Sequence, residues 1–258
     1  MTHPVSRRSA LSALLGSAAG SGLMRTANAE ETAPSAAPAP ATQPVGACTL
    51  LPQAVEGPFY FDPKLVRADI AEDRPGAPVQ LELRIIESGP CTPISNVRVD
   101  IWHADAAGAY SGYDRQGDRG DVSTKGNTFL RGTQIANDDG RVTFRTVYPG
   151  WYPGRTPHIH VKVFLDQTTL VTGQIYFPDT LSEKIYTTRA PYNVRSHADT
   201  TNATDFLFRE GEKEGGGIVL AIAEEADRIV ASLVIAVDRT GAAARGGVGG
   251  LLRRMIGR

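Results

Sequence analysis

Apolar and polar residues alternate along much of this chain, with the period of a strand that buries one face. Val79, Leu81, Leu83 and Ile85 alternate with Gln80, Glu82 and Arg84, and Val97, Val99 and Ile101 alternate with Arg98 and Asp100. Strands are expected over residues 129–136 and 141–147, where the intervening Asn137-Asp138-Asp139-Gly140 is a strong hairpin signal. A second hairpin is expected from 158–165 and 169–177, and closing strands over 218–223 and 229–237. No convincing amphipathic helix appears, and residues 181–214 read as irregular. About eight short strands with Gly, Pro and Asp turns predict an all-β fold, an antiparallel β-sandwich with long loops. The polar, Gly-rich stretch 111–127 is long enough to be functional rather than idle.

The ends of the chain fall outside this pattern. Arg7-Arg8, a mildly apolar run of Ala, Leu, Gly and Ser, and Ala27-Asn28-Ala29 form a basic, apolar, small-residue export signal over 1–29. The arginine pair gives it a twin-arginine character, so the expected location is periplasmic or extracellular. The apolar run is too short and too rich in Gly and Ser for a stable membrane span. Residues 30–46, mostly Ala, Pro, Thr and Ser, read as a linker. The globular domain is then expected over 47–238, and 239–258 reads as a mobile Gly/Arg-rich tail. Cys48 and Cys91 are the only cysteines, so this is no disulfide scaffold. In an oxidising compartment they are expected to pair; the alternative is two separate small side chains. A formal charge of −1 argues against a nucleic-acid surface.

Candidate chemistry concentrates in Gly150-Trp151-Tyr152-Pro153-Gly154-Arg155-Thr156-Pro157-His158-Ile159-His160. On a strand, side chains two apart share a face, so His158 and His160 point the same way and Ile159 and Val161 the other. Paired imidazoles are ready metal ligands, and Tyr152 and Arg155 stand in a loop that can fold back over them. A second tyrosine, Tyr110, follows the strand that ends near His103. No cysteine pair has zinc spacing and no carboxylate lies close in sequence to the histidines, so a zinc site would be short of ligands. Two phenolates with two imidazoles form a hard, anionic donor set, which suits Fe(III).

These residues resemble the intradiol ring-cleavage dioxygenases, the catechol and protocatechuate 3,4-dioxygenase superfamily. The resemblance runs in family order through Glu56-Gly57-Pro58-Phe59-Tyr60, Asp100-Ile101-Trp102-His103-Ala104, Gly108-Ala109-Tyr110, Phe144-Arg145-Thr146, Pro149 to Pro153, Arg155 to His160 and Gln174-Ile175-Tyr176-Phe177. It implies a β-sandwich and a non-haem Fe(III) held by Tyr110, Tyr152, His158 and His160. It further implies Arg155 and Gln174 as active-site residues and Pro58, Phe59 and Tyr60 as a pocket wall. The implied substrates are a small aromatic diol and O2, cleaved between the hydroxyl-bearing carbons to a cis,cis-muconate-type diacid, with Tyr152 leaving the metal as the diol binds. No helical dimerisation region like that of the catechol enzymes is visible, which leaves homo-oligomer formation open. The loop between Tyr152 and His158 is shorter than in the protocatechuate enzymes, which points to an open pocket and varied catechols. Two other classes stay in view: a non-catalytic β-sandwich binding module, and a zinc or copper protein built on the His-x-His pair.

Overall fold

The structure, a computed structural model, describes residues 48–117, 119–195, 197–215 and 218–244. The expected signal (1–29), the linker (30–46) and the tail from 245 onward lie outside the described residues. At the start of the expected tail, Asp238 accepts hydrogen bonds from the backbone of Thr240 and Ala243 and caps a short turn.

Among the described residues eight strands form two four-stranded sheets, as the alternation predicts. One sheet has the order β4 (Arg141–Val147), β1 (Pro78–Glu87), β8 (Ile229–Val237), β7 (Ala221–Glu224). The other has the order β3 (Arg131–Ile135), β2 (Arg98–Trp102), β5 (His158–Leu165), β6 (Thr168–Tyr176). All pairings are antiparallel except β1 with β8. Val79, Leu81, Leu83 and Ile85 from β1 meet Val99, Ile101, Ile159, Val161 and Val163 in one hydrophobic core. Burying those side chains is the main favourable term for the fold.

Two expectations are corrected. The turn Asn137 to Gly140 forms, with the Asn137 side chain accepting from the Asp139 and Arg141 backbones and Gly140 at φ 72°. It does not close a hairpin: β3 pairs with β2 and β4 with β1, so the turn carries the chain from one sheet to the other. A tight turn specifies reversal of the chain, and whether the arms pair or splay is settled by which sheet each apolar face covers.

The segment 181–214, expected to be irregular, holds α1 (Asp179–Thr188), one 3-10 turn (Tyr192–Val194) and α2 (Phe206–Lys213). Both helices are short. Leu181 and Ile185 are the only buried aliphatics of α1, with Ser182 and Tyr186 completing its inner face. That is too few large apolar residues for a clear helical period. The Tyr186 and Tyr192 hydroxyls donate to the carbonyls of Pro149 and Tyr148 at 2.9 and 2.7 Å. The helical region thereby pins the segment that leads into Tyr152.

Cys48 and Cys91 form a disulfide, which fastens the start of the described chain to the loop after β1.

Candidate active site

Toward Trp102, His158 and Gln174 the second sheet is buried on both faces. One face joins the core. On the other, register places Trp102 opposite His160 and His160 opposite Gln174, with His158 opposite Tyr176. Trp102, His158, His160, Gln174 and Tyr176 are each at most 4% exposed, so loops must roof this outer face.

Two loops deliver the tyrosines. The first turns at Asp105, whose Oδ1 accepts from Ala107 and Ala109 N–H at 2.9 and 3.0 Å. Tyr110 follows, its N–H held by the Gln116 side chain at 3.0 Å and its carbonyl by the Thr124 hydroxyl at 2.6 Å. The long polar stretch 111–127 thus serves to fix Tyr110. The second loop brings Tyr152. Gly150 lets the loops touch: a Cβ there would run into the carbonyl oxygens of Asp105 and Ala106, and the Gly150 N–H donates to Asp105 O at 3.0 Å. Arg195 donates to Ala106 O and Trp151 O at 3.2 and 2.9 Å, clamping both loops.

The four expected ligands converge. Tyr110 Oη lies 3.1 Å from His160 Nε2, 3.4 Å from His158 Nε2 and 3.4 Å from Tyr152 Oη. Tyr152 Oη lies 3.1 Å from His158 Nε2. Oxygen and nitrogen ligands bonded at about 2 Å to one ion stand roughly 3 Å from one another, so the set fits a single metal. His158 Nδ1–H donates to the Thr156 carbonyl at 2.7 Å, which leaves the Nε2 lone pair facing the other donors. Burial, then the nearby Arg155, holds both imidazoles well below the usual histidine range, so they are neutral. Burial raises both phenols, most strongly Tyr110, so a cation must displace their protons to make them anionic donors. Among the described residues no group of three or more His, Cys, Asp or Glu side chains could hold a metal, so any ion here depends on the tyrosines.

The two phenols are not equivalent. Tyr110 is fully buried, with Phe59 stacked on it at 4.8 Å. Tyr152 is half-buried and receives a hydrogen bond from Arg155 Nη1 at 3.4 Å. Arg155 also donates through Nη2 to Gln174 Oε1, so Arg155, Gln174 and Tyr152 meet. Gln174 Nε2 is buried without a hydrogen-bond partner. Of the expected wall residues, Phe59 flanks Tyr110 and Pro58 is exposed. The Tyr60 hydroxyl is committed to Asp100 at 2.9 Å, and its ring packs on Trp102.

Sequence reasoning missed four neighbours. Trp102 stacks on His160 with centroids 4.7 Å apart. The Tyr176 hydroxyl donates to Gln174 Oε1 at 2.9 Å. Asp205 pairs with Arg155 Nε at 2.8 Å from fifty residues away. Its signal was a capping one, an Asp just before Phe206-Leu207-Phe208. Arg131, at 1% exposure, binds Ser111 through both its hydroxyl and its carbonyl at 2.8 Å, and so steadies the residue after Tyr110.

Fold and site together describe a β-sandwich whose outer sheet face carries a Tyr/Tyr/His/His donor set. The family described as Dioxygenase matches residues 55–188, just over half of the chain. An intradiol ring-cleavage dioxygenase from Tetranychus urticae superposes with a TM-score of 0.66 at 34% identity, covering 74% of this chain and 95% of that one. The dioxygenase domain of a dioxygenase–carbohydrate-binding protein fusion from Streptomyces sp. SirexAA-E gives 0.54 at 26% identity, covering 73% and 98%. The protocatechuate 3,4-dioxygenase beta chain of Burkholderia cepacia is 36% identical over 104 residues, which are 37% of this chain and 42% of that one. The chain belongs to the intradiol ring-cleavage dioxygenase family. It spans about half the length of the curated relatives it matches, from 42% to 50% for the first of them.

Proposed function

We propose that this chain is a non-haem Fe(III) dioxygenase that cleaves catechol-type diols between the two hydroxyl-bearing carbons, giving cis,cis-muconate-type diacids. The observation that carries the reading is the meeting of Tyr110, Tyr152, His158 and His160 within 3.1–3.4 Å, beside Arg155 and Gln174. A bound ferric ion would act as a Lewis acid that lowers the pKa of the diol hydroxyls. The rest falls to the protein. Tyr110, buried and held through its backbone, is the phenol that stays in place. Tyr152, the more accessible of the two, is placed to receive a substrate proton on its phenolate oxygen. Arg155 supplies a fixed positive charge where negative charge builds on the ring. Phe59, stacked on Tyr110, offers an apolar surface to the aromatic substrate.

We further propose export through the signal at residues 1–29; the Cys48–Cys91 disulfide supports an oxidising compartment. The short loop from Tyr152 to His158 supports an open pocket that takes several catechols.

The test is direct. Purified protein loaded with ferric ion is expected to be red-brown from tyrosinate charge transfer, to change colour when a catechol is added without oxygen, and to give muconate absorbance in air. A colourless protein, or metal binding that survives Tyr110→Phe unchanged, overturns the assignment. Turnover of protocatechuate alone, in a panel of catechols, overturns the broad substrate range.

A further inference from the structure

Asp205 is 0% exposed, and its carboxylate is shared between two structures. Oδ1 accepts from the Leu207 and Phe208 N–H groups at 2.9 and 3.0 Å, capping α2. Oδ2 accepts from Arg155 Nε and from the Thr156 N–H, at 2.8 and 3.0 Å. One side chain therefore ties the start of a helix to the bend that precedes His158.

The contacts close into a ring. Arg155 Nη2 donates to Gln174 Oε1, and the Tyr176 hydroxyl donates to the same oxygen at 2.9 Å. The Tyr176 ring meets Phe208 edge to face at 5.1 Å, and the Phe208 N–H returns to Asp205. Within this ring the guanidinium is divided by edge. Nε belongs to Asp205 and Nη2 to Gln174, with Tyr176 at 3.5 Å, while Nη1 faces Tyr152 Oη at 3.4 Å. A planar guanidinium held at two of its nitrogens cannot rotate, so the third presents a fixed direction. A buried carboxylate with four N–H donors has no capacity left for a substrate. Its influence on chemistry passes through Arg155 or through Thr156, whose carbonyl holds His158, and only the second route would alter metal binding.

We infer that Asp205 is the positioning residue that selects which edge of Arg155 faces the reacting ring. The inference rests on the proposed ring-cleavage reading. It predicts that α2 and the active-site arginine shift as one unit, and that a helix outside the donor set governs turnover without governing metal binding.

The experiment uses the iron-loaded full chain with Asp205→Asn and Asp205→Ser. Asn and Ser are both good N-caps, so α2 is retained; Asn loses the charge and Ser loses the reach to Arg155. Expected for both, in the folded protein, are wild-type ferric loading and tyrosinate colour, a thermal midpoint lowered because Arg155 loses its buried partner, and a kcat lowered roughly 10- to 100-fold. Without oxygen, the catechol-induced colour change is expected at a concentration within a few-fold of wild type. In an Arg155→Ala background, Asp205→Asn is expected to cost no further activity, because its effect runs through the missing guanidinium. Wild-type kcat in both variants overturns the inference. So does loss of iron and tyrosinate colour from the folded protein in parallel with kcat, which is the mark of a purely structural cap, and so does an additive loss on the Arg155→Ala background. A wild-type protein that takes up ferric ion yet cleaves no catechol sinks the functional reading itself, and this inference with it.

Discussion

The two sheets share one core but differ on their outer sides. Along β1 and β4 the outer residues Gln80, Glu82, Arg141, Thr143 and Arg145 are exposed or half-exposed, the usual state of an antiparallel face in water. At one end of β5 and β6 the outer residues His158, His160, Gln174 and Tyr176 are buried, although two are histidines and one is a glutamine. Burying imidazole and amide groups costs free energy unless they are bonded, and a core of Val and Ile would pack there more cheaply. His160 Nδ1 and Gln174 Nε2 are left without hydrogen-bond partners. The difference separates the two sheets: the first has a core face and a solvent face, the second a core face and a face whose polar groups are closed off around the candidate site.

The contrast is broken most severely at the donor set. Tyr110→Phe removes one oxygen from the buried cluster, and we expect ferric affinity to fall by more than about 100-fold, beyond the loss typical of residues one step from a metal. Chelator competition with the iron-loaded protein measures it. The inner face of the first sheet should respond oppositely. Leu81→Ala is expected to lower unfolding free energy by about 2–5 kcal/mol in urea melts while the colour of the folded protein stays unchanged.

His103 links the two sheets and gives a pH-dependent test. It is neutral, with Nδ1–H donating to Ala104 O at 2.8 Å and Nε2 accepting from the Thr146 hydroxyl at 2.7 Å. Burial pushes its pKa down to about 4 from an unfolded value of 6.5. Between those values the unfolded chain takes up a proton that the folded one refuses, so stability falls as pH drops through that window. Iron-free protein is expected to lose about 2 kcal/mol from this group between pH 7 and pH 5. His103→Gln should remove that part of the slope in urea melts at the two pH values. The smallest effect belongs to the outer face of the first sheet. Thr143→Ala should change stability by no more than about 0.5 kcal/mol and leave metal binding unaltered.

Much of this could be read from residue order. Period-two alternation found the sheets because one face of each strand meets a continuous core, and the His-x-His pair lies on the opposite face of a strand by simple parity. Tyr110 and Tyr152 were singled out by the resemblance to the intradiol dioxygenases, since on their own each reads as an ordinary tyrosine. What failed had other causes. The arms of the Asn137 turn separate because each covers a different sheet, and turn chemistry carries no information about that. The helices α1 and α2 are only ten and eight residues long and bury only Leu181, Ser182, Ile185 and Tyr186, and Phe208 and Gly211, too few positions for a sustained apolar period. Asp205 meets Arg155 across fifty residues, a contact that no local pattern records. Arg131 and Trp102 look like ordinary strand residues until the loops that bury them are in place.

The parallel pairing of β1 with β8 has a consequence for how this molecule is made. Residues 79–87 align with 229–237, so the middle strand of the first sheet waits for a partner about 150 positions downstream. Such distant contacts slow folding, since the intervening chain must be drawn in before they form. A ribosome that has released residue 228 has not yet supplied the neighbour that completes this sheet, and a chain cut there would leave β1 with a bare edge ready to join another copy.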